Sequence, residues 1–355
     1  MITGLSAGGA ETQLGLLLRH LRHDHEVVAL YDVGRVGREM MRGGVRVYDL
    51  GMRGNRQVLS VFRLAALMRN GRYDVVHVHL YRACVYGRLA ARLARVSAVV
   101  TTEHSIGDTQ IEGRPKTAAV RFLYLATDRL SDATVAVSPK VRCLLADWGV
   151  PEGKIRVIPN GVDFDRFAFD ERARHAVRKE LGIPPGSFVA GSVGRLHRGK
   201  RYDALLEASG PFLERGGWLL LVGGGDEEGP LRRMARRTPH PDRVVFAGER
   251  GDVPRVLSAM DLFVSPSQEE TFGLSVLEAA ASGLRCVVAA CPALDGVRLE
   301  RVRRVSGEAH ALRGVLLQEY GRDRQAEPDL AAARQRYDVR SVARALDGLY
   351  ENLTG

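Results

Sequence analysis

The sequence predicts an α/β protein built from two doubly wound parallel-sheet domains. Short apolar runs of strand length alternate with helical patterns along the chain, and this alternation starts a second time near residue 188. Such β-α alternation builds parallel sheets with helices on both faces. The length of 355 residues suits two domains of ordinary size, and the 45% hydrophobic content supplies two cores.

The elements of the first domain follow from apolar runs and helical periodicity. The candidate strands are Glu26–Tyr31, Val45–Leu50, Val75–His79, Ala98–His104, Ala133–Val137 and Ile155–Ile158. The helical patterns include Ala10–His23, Val58–Asn70, Val85–Ala94, Thr117–Leu130 and Lys140–Trp148. Met1–Thr3 is long enough only for the tail of a strand, since a central strand normally runs about five or six residues. We therefore expect the sequence to begin inside its first strand.

The second domain shows the same pattern. Its candidate strands are Phe188–Val193, Trp218–Val222, Val244–Phe246, Leu262–Val264 and Cys286–Ala289, and a final helix covers Val339–Leu353. Between the last two strands, an Ala/Leu-rich helix is expected over Leu274–Ser282, with Gly283 as its C-terminal cap. Residues 261–292 thus form a strand–loop–helix–strand unit, and this unit contains two carboxylates that are candidate ligand-binding residues.

Two carboxylates frame the start of that helix, Glu270 in the loop and Glu278 inside it. In a helix, eight residues span roughly 12 Å, whereas the acid pair of a hydrolase lies about 5–9.5 Å apart. The spacing therefore fits two ends of a long ligand better than one scissile bond. The amides of Phe272, Gly273 and Leu274 lie between the two acids at the positive end of the helix dipole, where a phosphate binds readily. A nucleotide sugar has this shape, although two solvated charges remain the alternative.

The E-x7-E spacing after P-S and before A-S-G resembles the signature of retaining glycosyltransferases of family 4. The resemblance implies the GT-B fold, in which two Rossmann-like parallel-sheet domains face each other across a cleft. It also implies that Glu270 contacts the hydroxyls of the donor sugar and that Glu278 holds the ribose. It is strong over 155–283 and weaker over 20–70 and 293–336. Family members commonly have Gly-Gly and Glu where this chain has A-C-P-A-L-D-G-V, so acceptor contacts there are in question.

The implied domain organisation places an acceptor domain at residues 1–165 and a nucleotide-sugar domain at residues 166–337. A C-terminal helix, about 338–355, would cross back onto the first domain. The passage between the domains contains D-F-D, Asp163–Asp165, which could be read as a metal-binding motif. We reject that interpretation because the motif lies in the linker and enzymes of this kind need no metal.

Two cations lie in the loop after the strand at 188–193. Arg195 can bind a phosphate through two parallel hydrogen bonds, and Lys200 can act as a point charge. A solvated charge pair is the alternative. The stretch G-R-L-H-R-G-K resembles the G-R-L…K-G element of the family, which implies a diphosphate role for both residues; Arg201 stands where the family usually has glycine.

Several glycines occupy turns where a backbone can approach a ligand closely. Gly8 and Gly9 precede the first helix, and the resemblance implies that they face the donor diphosphate. Gly223 is expected to line the nucleotide, and Gly248 with Glu249 to meet its base. Ordinary strand-to-helix turns are the alternative at each position.

His104 is expected at the carboxyl end of its strand, where the ligands of α/β folds collect. The resemblance implies that it lies near the sugar and the acceptor; a buried structural histidine is the alternative. His77 and His79 alternate on another strand without nearby Cys, Asp or Glu, which is a poor pattern for a metal site. We expect no bound metal.

The net charge of +10 is concentrated in the first part of the chain, where 23 basic and 16 acidic residues precede position 166. This excess suits peripheral contact with an anionic membrane, or simply arginine on solvated faces. No motif supports nucleic acid as a partner. The four cysteines form no framework and no apolar run is long enough to span a membrane, so a cytoplasmic protein, in part at the inner membrane face, is expected.

The resemblance thus implies a retaining transferase that moves a hexosyl group from a nucleoside diphosphate sugar, with UDP favoured, to a hydroxyl acceptor. The acceptor would be a glycan, a lipid-linked sugar or a small natural product. The nucleotide sugar is a co-substrate, and no cofactor is expected. The alternatives are an inactive nucleotide-sugar-binding protein and a phosphorylase or epimerase on the same fold. A nicotinamide oxidoreductase would need G-x-G-x-x-G, which is missing.

Overall fold

A computed structural model describes residues 1–6, 8–54, 57–107, 110–112, 114–322 and 330–355. The chain forms two compact units. The first comprises Met1–Gly161 together with Val339–Gly355, and the second comprises Val162–Asp338. Val162 already belongs to the second unit because its amide donates to the Tyr337 carbonyl at 2.7 Å. The sequence placed this division near residue 165; the roles assigned to the two domains stay predictions.

The first unit alternates strands and helices as far as residue 157. Its strands are β1 (Glu26–Ala29), β2 (Arg46–Asp49), β3 (Val75–His79), β4 (Ala98–Glu103), β5 (Gln110–Ile111), β6 (Arg114–Pro115), β7 (Ala133–Ala136) and β8 (Ile155–Val157). Its helices up to that point are α1 (Gly9–Leu18), α2 (Gly34–Arg42), α3 (Ser60–Gly71), α4 (Tyr81–Ala94), α5 (Ala118–Asp128) and α6 (Pro139–Trp148). Strands β3, β4, β7 and β8 pair in that order and in parallel, while β5 and β6 form a small antiparallel hairpin.

Ile2 joins the two parts of the first sheet. It forms parallel bridges to Ala29 on β1 and to His79 on β3, and β1 pairs in parallel with β2. The Ile2 amide donates to the Val28 carbonyl at 2.9 Å. Ile2 is completely buried, as expected of a residue in a central strand. The expectation that Met1–Thr3 has strand character is therefore confirmed at Ile2.

The second unit contains one sheet of six parallel strands. Its strands are β9 (Val189–Val193), β10 (Trp218–Val222), β11 (Val244–Phe246), β12 (Leu262–Ser265), β13 (Arg285–Val288) and β14 (Val302–Arg304), in the order β11-β10-β9-β12-β13-β14. The helices are α7 (Glu171–Glu180), α8 (Tyr202–Ala208), α9 (Gly210–Glu214), α10 (Glu228–Ala235), α11 (Val253–Ser258), α12 (Leu274–Ala281), α13 (Ala309–Glu319) and α14 (Ala331–Tyr337). Because β9 and β12 are neighbours at the centre, the loops that leave their carboxyl ends lie side by side.

A buried ionic network anchors α7 to this sheet. Asp261, directly before β12, accepts hydrogen bonds from Arg174 at 2.6 Å and from Arg178 at 2.8 Å. The same carboxylate accepts from the Val189 amide at 2.7 Å. Since Arg178 is only 1% exposed, its charge depends on this partner.

The last helix, α15 (Val339–Thr354), belongs to the first unit. Val342 and Leu346 pack into one apolar cluster with Leu16 and Leu17 of α1. Burial of this apolar face holds the terminal helix in place, since each fully buried aliphatic side chain contributes about 1.5–3 kcal/mol.

Some elements carry little sequence signal. Helix α2 contains three arginines and two glycines in nine residues, and β14 is a sheet edge whose residues are mostly exposed. Neither was predicted, because α2 buries only two large apolar side chains, Val36 and Met40, and β14 is only three residues long. Among the described residues, no helix has the length and apolar character needed to span a membrane.

Candidate active site

The two loops that leave the central strands of the second unit meet through an ion pair. Lys200, at the end of a 3₁₀ turn after β9, donates to Glu270 in the loop after β12, with 2.5 Å between Nζ and Oε1. The Ser267 hydroxyl lies 3.1 Å from the Gly199 carbonyl and 3.0 Å from the Glu269 carbonyl, within hydrogen-bonding distance of both loops. The structure thus brings together two residues that the sequence singled out separately.

Arg195 lies on the same β9 loop and is exposed to solvent. Its guanidinium forms no hydrogen bond or ion pair with any residue that the structure describes. The loop itself is held in place, because the Leu196 amide donates to the Gly224 carbonyl at 2.8 Å. Arg195 is therefore an unpartnered cation on a fixed backbone, close in sequence to the Lys200 ion pair.

The start of α12 requires glycine at position 273. Gly273 has φ +94° and ψ +41°, a left-handed conformation that side chains disfavour. A Cβ at this position would lie 2.4 Å from the Cys291 Sγ atom. Gly273 provides no side-chain cap, so the amides that begin at Leu274 are not satisfied by their own N-cap residue. Such a helix start favours a negatively charged ligand.

A buried segment that the sequence analysis noted only as a departure from the family pattern supports this helix start. Cys291 contacts the Phe272 carbonyl through Sγ at 3.6 Å, and the Ala293 amide donates to the same carbonyl at 2.8 Å. Tyr337 in turn donates to the Ala293 carbonyl at 2.5 Å, and its ring meets the Phe272 ring edge-on at 5.4 Å. The A-C-P-A-L stretch, which differs from the family pattern, therefore packs beneath the α12 start and orients it.

Glu278 lies one turn further along α12 and is half-buried. Burial raises the pKa of its carboxyl to about 7, and the positive charge of Arg166 opposes this shift. Its carboxylate forms no hydrogen bond with any described residue, so it has acceptor capacity for a ligand hydroxyl.

The predicted nucleotide-lining glycines pack against the β9 loop. Gly223 has φ +137°, and a Cβ there would lie 2.0 Å from the Gly194 carbonyl oxygen. The Gly223 amide donates to the Gly248 carbonyl at 2.8 Å, which links the loops after β10 and β11. Glu249 is exposed beside them. The carboxyl ends of β9, β10 and β11 thus form one glycine-lined edge.

His104 follows β4 in the first unit and is 8% exposed. Its Nε2 lies 3.2 Å from Nδ1 of His79, whose ring stacks on that of His77 at 4.2 Å. Burial lowers the pKa of His104 to about 4, so the ring is neutral at physiological pH. His77 is hydrogen-bonded to Thr102 and Tyr350 at 2.6 Å each. These partners give His77 a structural role, and the role of His104 near the sugar stays a prediction.

The remaining predicted positions lie at helix starts and turns. Gly8 is the N-cap of α1 and Gly9 its first residue; a Cβ at Gly8 would meet the Glu11 carboxylate at 2.0 Å. The Asp163 carboxylate accepts a hydrogen bond from the Arg166 amide at 3.2 Å, and Asp165 forms an ion pair with Arg334 at 2.8 Å. The described residues include no group of three or more His, Cys, Asp or Glu side chains that could hold a metal ion.

Comparison with known protein families gives two adjacent matches. Residues 7–166 match Glycosyltransferase Family 4, and residues 173–305 match Glycosyl transferases group 1. Together these matches cover most of both units.

Curated relatives and solved structures agree with these matches. The chain is 31% identical over 240 residues to UDP-Gal:alpha-D-GlcNAc-diphosphoundecaprenol alpha-1,3-galactosyltransferase of Escherichia coli, covering 66% of this chain and 62% of that protein. It is 31% identical over 293 residues to GDP-mannose-dependent alpha-mannosyltransferase of Mycobacterium tuberculosis, covering 78% and 74%. HepE of Anabaena, solved in complex with UDP and glucose, superposes with a TM-score of 0.84 at 23% identity over 99% of both chains.

The chain has two parallel-sheet α/β units and superposes on solved glycosyltransferases with the GT-B fold. Its fold is therefore GT-B, as the sequence predicted. With both family models matched in order along the chain, the protein belongs to the family 4 type of glycosyltransferases. The predictions of fold and family are therefore confirmed.

Proposed function

We propose that the protein transfers a hexosyl group from a nucleoside diphosphate sugar, preferably a UDP-sugar, to a hydroxyl acceptor, with retention of configuration and without a metal ion. One observation carries the proposal: Lys200 and Glu270 are in contact at 2.5 Å. This contact supports the proposal because it would set a cation for a leaving diphosphate beside a carboxylate for sugar hydroxyls. Gly273, at the start of α12, lies three residues after Glu270.

The cations would stabilise the charge that develops on the leaving group. As the bond between the sugar C1 and the β-phosphate oxygen breaks, negative charge accumulates on that phosphate. Lys200, the unpartnered Arg195 and the amides at Phe272–Leu274 would supply positive charge and hydrogen-bond donors without a metal. Preorganised donors of this kind need no rearrangement during the reaction, and the support beneath Gly273 favours such rigidity.

The nucleoside would lie along the glycine-lined edge. Glu278 would accept hydrogen bonds from the ribose hydroxyls, Gly223 would allow close approach of the nucleotide, and Gly248 with Glu249 would meet the base. UDP appears in the names of the Escherichia coli relative and of the HepE complex, whereas the Mycobacterium tuberculosis relative uses GDP-mannose by name. These names favour UDP for this chain.

Retention would follow from front-face displacement. The acceptor oxygen would form its bond to C1 on the face from which the diphosphate leaves, and the leaving phosphate would take the acceptor proton. Glu270 is already paired with Lys200, an arrangement better suited to orienting the sugar than to attacking C1. Gly8 and Gly9 would approach the diphosphate, and His104 would approach the sugar.

The acceptor would be a hydroxyl on a glycan, a lipid-linked sugar or a small natural product, and the first unit would bind it. The name of the Escherichia coli relative specifies a diphosphoundecaprenol-linked acceptor, which favours a lipid-linked sugar. We place the activity in the cytoplasm; the four cysteines form no disulfide, in keeping with a reducing compartment.

The proposal is tested by measuring turnover of UDP-, GDP- and ADP-sugars with a panel of hydroxyl acceptors in the presence of EDTA. We expect a UDP-sugar to be consumed only with an acceptor, and the product to retain the anomeric configuration by NMR. Binding without turnover would indicate an inactive nucleotide-sugar-binding protein. A requirement for free phosphate would indicate a phosphorylase, and conversion without acceptor an epimerase. Loss of transfer in EDTA, restored by a divalent ion, would contradict the metal-free mechanism.

A further inference from the structure

Three neighbouring helices of the first unit expose large apolar side chains. Helix α3 packs against α4, and α4 packs against α5. The exposed apolar residues on these helices, or in the turn before α3, are Val58, Leu59, Phe62, Leu89, Leu93, Phe122 and Leu123. Leu59, Phe62 and Phe122 are 76%, 61% and 75% exposed. Single exposed apolar residues are ordinary, but a set of this size on adjacent helices marks an interaction surface.

The same helices carry no exposed carboxylate. Every residue of α3, α4 and α5 is described, and their only acidic residue is Asp128, which is buried in an ion pair with Arg88 at 2.9 Å. Arg63, Arg69 and Arg121 are exposed among the apolar side chains. The outer side of α3–α5, together with residues 58 and 59, is called the α3–α5 face below; it is apolar and basic.

Pairs of exposed side chains share one side of α3 and one side of α4. Phe62 and Arg69 are two turns apart on α3, and Leu89 and Leu93 are one turn apart on α4, so the members of each pair point in similar directions. The Arg69 guanidinium donates to the Leu93 carbonyl at 2.9 Å, which ties the ends of α3 and α4 together. The exposed groups are therefore held on a continuous helical layer.

We propose that the α3–α5 face docks on an anionic lipid surface. Arginine side chains are attracted to lipid phosphates, while exposed Phe and Leu side chains enter the boundary between headgroups and acyl chains. A second copy of this chain fits less well, because pairing through this face would bring arginines together without carboxylates. Docking would bring the protein to a lipid-linked acceptor; that consequence, but not the docking itself, rests on the proposed function.

Vesicle flotation tests the proposal directly. The full-length protein is mixed with phosphatidylcholine vesicles that contain or lack phosphatidylglycerol, at low and high salt. We expect binding only to the anionic vesicles and less binding at high salt. The double variant Phe62→Ser/Phe122→Ser should bind at least tenfold more weakly, since each aromatic side chain loses its burial in lipid. The matched control Met41→Ser/Phe169→Ser removes apolar side chains that are 44% and 39% exposed elsewhere and should bind like the wild type.

A charge pair of variants tests the electrostatic part. Arg63→Gln should weaken binding to anionic vesicles about fivefold. Arg172→Gln, which removes an exposed arginine of the second unit, should leave binding unchanged. Circular dichroism confirms that each variant is folded, as expected for exposed positions.

Several results would overturn the docking proposal. The wild type would fail to bind anionic vesicles, or it would bind neutral vesicles equally well, or Phe62→Ser/Phe122→Ser would bind anionic vesicles with wild-type affinity. A dimer that this double variant converts to monomer in sedimentation velocity would instead identify a second copy as the occupant. Transfer to a water-soluble acceptor without vesicles should stay within about twofold in the double variant. A wild type that floats with vesicles but transfers no sugar would overturn the proposed function alone.

Discussion

Replacing Glu270 by glutamine should separate donor binding from sugar transfer. The substitution keeps the size of the side chain and removes its charge. In the structure Lys200 donates to Glu270 at 2.5 Å, and the two side chains are 33% and 12% exposed. Without the carboxylate, Lys200 loses its anionic partner and becomes fully available to a diphosphate. Bare nucleotide affinity should therefore be retained or increased, whereas transfer should fall.

The expected magnitudes follow from this partly exposed geometry. A pair of this exposure contributes no more than about 1 kcal/mol to stability, so Glu270→Gln should fold normally. A charge-assisted hydrogen bond to phosphate contributes about 1.5–3 kcal/mol, or roughly 10- to 100-fold in affinity. Lys200→Met should weaken UDP binding by that factor. Glu270→Gln should keep the UDP dissociation constant within about threefold or lower it, yet slow transfer about 100-fold because the sugar loses an orienting contact.

The assay is calorimetric titration of UDP into each variant, together with initial rates of transfer at saturating donor. Glu269→Gln is the matched control, since it removes the neighbouring exposed carboxylate of the same loop. This control should alter neither quantity. Equal loss of UDP affinity in Glu270→Gln and Lys200→Met would refute the reasoning, because the carboxylate would then organise the diphosphate site itself.

The remaining predictions concern pH, backbone conformation and stability. Burial raises the pKa of Glu278 to about 7, and ribose binding would need the ionised carboxylate, so UDP affinity should rise about tenfold from about pH 6 to about pH 8. In calorimetry, Glu278→Gln should lose this tenfold rise and retain only the pH dependence that comes from the titration of UDP itself. Gly273→Ala should reduce UDP affinity at least tenfold because a Cβ would lie 2.4 Å from Cys291 Sγ, and an unchanged dissociation constant would contradict that role of the helix start. Asp261→Ala should cost about 3–5 kcal/mol in chemical denaturation because it leaves Arg178 buried without its partner, and a loss below about 1 kcal/mol would count against this account.

Buried strands were the elements that the sequence determined best. The bounds of Val75–His79 and Trp218–Val222 agree with the predicted ones, and so do those of the edge strand Val244–Phe246, whose three residues are all apolar. A parallel strand covered on both faces is a nearly continuous apolar run, so it is readable without knowledge of its neighbours. The edge strand Val302–Arg304 is mostly exposed and left no such signal.

The E-x7-E stretch indicated the family through its resemblance to the family signature, although its spacing alone left two solvated charges as the alternative. It could not show that Lys200 contacts Glu270, seventy residues away in the chain. That contact exists because β9 and β12 are neighbours in the sheet, and the order of parallel strands is set by crossover connections rather than by the strands themselves.

Tertiary packing alone decided the environment of the site and the chemistry of the surface. Cys291 and Tyr337 support the α12 start although neither belongs to a recognisable motif, because the contact depends on how two distant segments pack. The exposure of Phe62 and Phe122 could not be predicted either, since an apolar residue in a helical pattern is normally assigned to the core. Sequence periodicity reports that a helix has an apolar side; only the packed structure shows which of its apolar residues the neighbouring elements leave uncovered.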